Sequence, residues 1–288
     1  MNKLPRAKRI AVVAALTEGN SLRSTVRMTG VAMNTCMKLL RDAGPACARY
    51  QAEAFNGLEC KRFQVDEMWG FVGCKQSNVP AEMKGQWGIG DAWLWSAICA
   101  DCKVVPSWLL GPRDAGSARD LLGDLADRLA GRIQLTTDGL SLYVNAVDES
   151  FGSAIDYCML VKLYGEEAGV GPERRYSPGE CCGTRREVKQ GRPDQRHVST
   201  SFVERLHLTN RQHMKRFARL TLSFSKKVEN LTHATALHYL AYNFVKVHRT
   251  LRVTPAMQAE VTSRLWTVED IVDVLEWAEG GYVGAGPE

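Results

Sequence analysis

The 288-residue sequence has no apolar run long enough to cross a membrane; residues 92–100, its longest, reach about half the length of a helical span. Lys3 and Arg6 are not followed by an apolar segment and a cleavage site, so no secretory signal is read and a cytoplasmic location is expected. Internal repeats and low-complexity tracts are missing, which excludes solenoids and fibres. A disulfide framework is missing too. The nine cysteines are an odd number and most lie inside apolar periodic segments, as small core residues of a reducing compartment do. Cys99-Ala-Asp-Cys102 has no second C-x-x-C and no closely spaced histidine pair, so a hairpin turn is a simpler reading than a zinc site. With 45% hydrophobic and 24% charged residues, what is left is an ordinary globular chain of one or two domains.

A large charge of one sign is also absent, but the net +5 is a sum of opposing blocks. Residues 1–65 hold 11 basic against 4 acidic side chains, and residues 66–161 hold 7 against 13. Residues 162–252 hold 18 against 8, and residues 253–288 hold 1 against 7. Basic blocks flanking an acidic centre suit a polyanionic partner held around a group of carboxylates.

Apolar spacing predicts helices over residues 6–17, 22–28 and 32–43, with Ser21 capping the second, a turn at Thr29-Gly30-Val31, and Gly44-Pro45 ending the third. This is the layout of a helix-turn-helix, with Asn34, Thr35, Lys38 and Arg41 available to DNA while Val31, Cys36, Leu39 and Leu40 pack inward. Three small helices without that role would share the pattern. A connecting helix follows, and then the periodicity turns extended. Residues 62–72, 93–100 and 103–110 read as a three-stranded meander, 114–130 as a helix, 133–137 as a strand, 142–151 as a helix and 154–163 as a strand. Residues 164–198 lack clear periodicity and read as an insertion or functional loop. Long helices are expected over 201–220 and 226–247, with an acidic helix over 267–277 whose flanking Trp266 and Trp277 suit docking on a basic face of this chain or a partner. The fold class is α/β, a mixed sheet flanked by helices and preceded by a small all-α unit.

Alternation places Gln64 and Asp66 on one face of their strand, and Gln134, Thr136 and Asp138 on one face of theirs. If these strands are neighbours, two carboxylates crowd together and call for a hard cation such as Mg²⁺. Glu204 is the candidate third acid, on a helix stripe with His207, Leu208 and Arg211. Its alternative role is in a capping box, Ser201-Phe202-Val203-Glu204. Arg205, Arg211, Lys215, Arg216 and Arg219 make the same region basic, as phosphate neutralisation requires.

Three blocks, Val65-Asp66-Glu67-Met68-Trp69, Thr136-Thr137-Asp138-Gly139 and Thr200-Ser201-Phe202-Val203-Glu204-Arg205, resemble the signature segments of DDE transposases, in particular bacterial transposases of the insertion-sequence-one-like type. The runs 216–227 and 242–256 are similar to that group as well, so the resemblance spans roughly residues 20–275, with its blocks in the family's order. It implies a ribonuclease H-like core over 61–252 with the insertion 164–198, after a helix-turn-helix domain over 1–48 and a linker helix over 49–60, and before an acidic helical extension over 253–288. It implies catalysis by Asp66, Asp138 and Glu204, which would hold two Mg²⁺ ions (Mn²⁺ substituting), with His207 as a possible auxiliary group. The implied reaction is cleavage at the ends of an insertion sequence, a mobile element, and strand transfer into target DNA. Double-stranded DNA is the implied partner and a homo-oligomeric synaptic complex the implied assembly, with no membrane role. The chain departs from the family in lacking a cysteine zinc finger ahead of its first helices, and in the long separation of Asp138 from Glu204. Glu166, Glu167, Glu173, Glu180 and Glu187 lie in that interval as substitutes. A DNA-binding regulator with a degenerate core, and a nuclease of the same fold without strand transfer, are the rival readings.

Overall fold

The computed structural model describes residues 3–165, 181–218, 221–282 and 286. Its centre is a six-stranded mixed sheet in the order β3-β2-β1-β4-β5-β6. β1 (Arg62–Val72), β2 (Gly90–Cys99) and β3 (Ser107–Gly111) form an antiparallel meander. β4 (Ile133–Thr137) and β5 (Ile155–Tyr164) run parallel to β1, linked by α5 (Leu142–Phe151), while α4 (Ala115–Asp127) joins β3 to β4. β6 (Cys181–Gln190) adds antiparallel to β5 at the edge.

Period-two alternation gives the sheet two apolar faces. Val65, Trp95, Leu135 and Tyr157 point to one, where they meet α4 and α5 through Leu121, Leu125, Tyr143 and Val147. The same cluster runs on through α1 (Arg6–Thr17), α3 (Met33–Ala54), α7 (Val228–Leu240), α8 (Pro255–Gln258) and α9 (Val268–Glu279). Met68, Leu94 and Ile98 point to the other face and pack on Val203 and Leu206 of α6 (Ser201–His213) and on Tyr239. Burial on both faces explains why the strands are rich in apolar side chains throughout.

Caps fix several helix starts. Ser21 accepts the Ser24 N–H to open α2 (Leu22–Thr29), Asp114 accepts the Ser117 N–H to open α4, and Thr267 with Asp270 forms a capping box on α9. Gly30, at φ 69°, closes α2 in the left-handed conformation, and α3 begins three residues later.

Four expectations are corrected. Gly44-Pro45 does not end a helix: α3 runs unbroken for 22 residues with Pro45 inside it. The loss of one backbone hydrogen bond is outweighed by a buried face of Cys36, Leu39, Leu40, Ala43, Ala46, Cys47 and Gln51 along its length. Val104 and Val105 are buried but precede β3, because the Asn243 side chain takes the place of a neighbouring strand, accepting from the Val105 N–H at 2.9 Å and donating to its carbonyl at 3.0 Å. The two long helices after Ser199 are shorter, ending at His213 and Leu240, the second running on into a π-helical turn over Ala241–Val245. The 164–198 region contains β6, which has a mostly exposed, polar sequence and is held by pairing with β5; residues 166–180 lie outside the described residues.

The acidic α9 docks on the basic α1 of its own chain. Arg6 pairs with Asp273 at 2.6 Å and with Glu276, Lys3 pairs with Glu279 at 3.1 Å, and the buried Arg9 also reaches Glu279 at 2.5 Å. Trp266 is buried against Phe244 and Tyr50. Among the described residues no helix is long and apolar enough to cross a membrane.

Gly44 marks the closest approach of α3 and α7: a Cβ built there would lie 2.6 Å from His233 Cα. Alanine has a helix propensity about 1 kcal/mol better than glycine, but forcing two packed backbones apart costs roughly 1–3 kcal/mol. Gly44→Ala is therefore expected to lower the urea midpoint rather than raise it.

Candidate active site

The strand register brings two predicted acids to one place. Gln64 pairs with Thr136 and Val65 with Thr137, so the next step along the two parallel strands sets Asp66 beside Asp138 at the end of β4. Both lie on the even-numbered face that α6 covers. Asp138 is fixed by a local turn, its Oδ1 accepting the Leu140 N–H at 2.9 Å. The Asp66 carboxylate accepts the Glu67 N–H at 2.8 Å. Burial, together with the charges of Asp138 and Glu67, pushes the Asp66 carboxyl up to about 8.

Glu67, which the sequence reading did not single out as a site residue, joins this pair. One oxygen from each of Asp66, Glu67 and Asp138 lies within 4.8 Å of the others. Glu67 belongs to the opposite, odd-numbered face, where its carboxylate accepts from Tyr143 Oη at 2.7 Å and from Arg113 Nη2 at 2.6 Å. Burial raises its pKa while Tyr143 and Arg113 oppose the rise. Arg113 is itself held over the Trp93 ring, its guanidinium carbon 4.7 Å from the centroid. The signal was present in the alternation: an acid in register with Phe63 and Val65 sits on an apolar face and needs a partner there.

Glu204 is on α6 but is not part of the close cluster. Its carboxylate accepts from Lys162 Nζ and from Thr200 Oγ1, both at 2.6 Å. Partial burial pushes its pKa up, but Lys162 and Thr200 outweigh this and hold it below the usual carboxylate range. Thr200 is the N-cap residue of α6 and makes no side-chain cap bond, so the alternative capping box on Ser201 is not formed. His207, one turn on, bridges towards the cluster, with Nδ1 3.6 Å from Asp66 Oδ2. Burial and the Arg211 charge lower its pKa to about 4, so it is neutral, and its buried Nε2 has no hydrogen-bond partner among the described residues.

The donor set is all oxygen with one neutral imidazole beside it, which suits a hard divalent cation. The raised Asp66 pKa makes the same point: a buried carboxylate that also faces Asp138 and Glu67 does not ionise cheaply unless a positive charge joins it.

The predicted DNA contacts divide by environment. On α3, Asn34, Lys38 and Arg41 are exposed and Thr35 is half-buried, with Cys36, Leu39 and Leu40 on the inner side; Lys38 pairs with Asp42. Arg205 and Lys215 are exposed. Arg211 donates to the carbonyls of Phe217 at 2.9 Å and Trp69 at 3.2 Å, and Arg216 donates to Ser225 Oγ at 2.7 Å while burial lowers its pKa. Arg219 lies outside the described residues. A cleft of about 750 Å³, separate from the acids, opens between α2–α3 and the segment after α6, lined by Arg23, Lys215, Arg216 and Lys226 among others.

Without divalent cations, folded Asp66 stays protonated between pH about 4 and about 8, whereas the unfolded chain ionises it. The folded state then binds more protons, so stability is greatest at low pH and falls as pH rises through about 8. In chelator, Asp66→Asn is expected to remove that decline and to exceed the parent at pH 8–9 by more than about 1 kcal/mol in urea unfolding. Mg²⁺ at pH 8 should raise the midpoint of the parent and leave Asp66→Asn nearly unmoved.

No protein-family model matches the chain, and no curated protein matches it. Among solved structures it is similar to a piggyBac transposase synaptic complex with hairpin DNA, with TM-score 0.37 and 8% identity over 95% of this chain and 70% of that one. It is also similar to the Mos1 strand transfer complex, with TM-score 0.23 and 15% identity over 83% of this chain and 77% of that one. Likeness this faint identifies no shared activity.

Proposed function

We propose that this protein is a DDE-type transposase, which binds the ends of an insertion sequence and catalyses metal-dependent DNA cleavage and strand transfer. The observation that carries this reading is the convergence of Asp66 and Asp138 from neighbouring parallel strands, with the Asp66 carboxyl pushed up to about 8. The sheet order supports it, since a meander followed by two strands parallel to its first strand is compatible with a ribonuclease H-like core.

In this mechanism Asp66 and Asp138 would hold Mg²⁺, and Glu204 on α6 would supply a further oxygen. Two such ions, when bound, would activate a water or a DNA 3′-hydroxyl and stabilise the leaving 3′-oxygen. Glu67, clamped by Tyr143 and Arg113, fixes the strand on which Asp66 stands. His207, neutral and with Nδ1 facing Asp66, is the proposed auxiliary group beside the acids. Lys162 holds the Glu204 carboxylate in readiness at the edge of the site. Asn34, Thr35, Lys38 and Arg41 on α3, with Gly30 turning the chain ahead of it, form the proposed helix-turn-helix contact with DNA, and the exposed Arg205 and Lys215 a proposed phosphate grip.

Asp66→Asn is expected to lower Mg²⁺-dependent nicking of a duplex carrying the DNA that flanks the gene by more than about 10³-fold, as losing several kcal/mol of charge stabilisation requires. Binding to the same duplex should be unchanged or tighter. Comparable nicking by parent and Asp66→Asn sinks the metal-site assignment. Binding without any nicking by the parent favours a regulator, and nicking without joined products favours a nuclease. Arg205→Ala and Lys215→Ala should each reduce the slope of log affinity against log salt by about one. Arg216→Ala should instead lower the melting temperature, since it removes a part-buried charge-assisted hydrogen bond of about 1.5–3 kcal/mol.

A further inference from the structure

Just ahead of β1, six residues before Asp66, three thiols converge. Cys60 precedes β1, Cys99 ends β2, and Cys102 lies in the turn that follows. Their sulfurs all lie within 4.8 Å of one another, with those of Cys60 and Cys102 3.5 Å apart. Cys99 and Cys102 are buried and Cys60 half-buried. Sulfurs around one tetrahedral zinc, at about 2.3 Å from the metal, stand roughly 3.8 Å apart, so the spacing fits a shared ion.

The turn is shaped around a sulfur. The backbone N–H groups of Asp101 and Cys102 both point at Cys99 Sγ, at 3.4 and 3.5 Å. Lys103 then adopts φ 64°, a left-handed conformation uncommon outside glycine, and its N–H returns to the Cys99 carbonyl at 3.1 Å. Arg62 pairs with Asp101 and tethers this turn to β1, beside Cys60. Two donors aimed at one sulfur favour its thiolate, and three sulfurs in contact can all ionise only around a cation. Cys36, Cys47 and Cys158 have no such arrangement and sit among apolar neighbours.

We propose that Cys60, Cys99 and Cys102 form a three-thiolate site for Zn²⁺, with water in the fourth position, which staples the start of β1 to the β2–β3 turn. No further histidine, cysteine or carboxylate joins the cluster among the described residues. The soft donor set selects a different ion from the all-oxygen cluster at Asp66. Each ligating thiol gives its proton to solvent, so zinc uptake releases protons and involves no electron transfer.

The test uses the full chain, reduced, stripped by chelator and titrated with Zn²⁺ or Co²⁺ alone. The expected result is one equivalent of zinc bound at this site, a sulfur-to-cobalt charge-transfer band, and protection of Cys60, Cys99 and Cys102 from alkylation in a peptide map. Cys60→Ser should weaken zinc binding by more than the roughly 10–100-fold cost of losing an outer-shell partner, while Asp66→Asn keeps it. Should Cys60→Ser fail to fold, the alkylation map of the parent decides the matter. Equal alkylation with and without zinc overturns the proposal, as does zinc binding lost in Asp66→Asn but kept in Cys60→Ser. Thiols blocked without metal and recovered by a reductant also overturn it, in favour of a disulfide.

Discussion

Two acids on adjacent parallel strands, facing the same way, repel one another in a place with little water to screen them. The surroundings of Asp66 and Asp138 can be understood as answers to that strain. The Glu67 N–H turns towards Asp66, and the Leu140 N–H closes on Asp138. Tyr143 and Arg113 neutralise Glu67, which would otherwise add a third uncompensated charge. His207 is kept neutral beside Asp66 by burial and the Arg211 charge, so it brings no positive charge to the pair. The two backbone N–H groups lower the cost of the pair in the metal-free chain.

The cations show a similar division of labour. Arg211 and Arg216, on and just after α6, bond to backbone carbonyls and a serine of their own chain. Arg205 and Lys215 remain at the surface. A basic stretch of sequence is thus partly a scaffold and partly a binding surface, and net charge counts both alike. The same holds at the chain's ends, where the acidic block of α9 and the first basic residues of α1 offset one another by direct pairing.

What could be read from the sequence was local and periodic. Alternation assigned Asp66 and Asp138 to their faces because side-chain direction in a strand follows from a count of two. The capping signal at Ser21 behaves as written, because a short side chain bonding three residues ahead needs no distant partner. The pairing of β1 with β4 was not readable, since it depends on a crossover through distant segments. The continuity of α3 escaped notice because Gly44-Pro45 is a strong local stop overridden by burial against α7 and α9. β6 was missed because an exposed edge strand has no apolar alternation to show, and Cys60 because nothing in its spacing ties it to Cys99 and Cys102. Lys162 holding Glu204 is likewise a meeting of β5 and α6 that only the assembled fold brings about.

The unbroken α3 carries a consequence for the proposed contact with DNA. Its 22 residues make a rod roughly 33 Å long, exposed near Asn34 and Lys38 and buried against α7 and α9 along its inner face. If its first turns grip a base sequence, the rod carries no joint at Gly44-Pro45 that would let the grip swing relative to the sheet. The interval between the bases recognised and the phosphodiester cut is then set by the length and direction of one helix. Such a protein would act as a fixed caliper, and an insertion of a few residues into that helix would move the cut by a calculable step around the duplex.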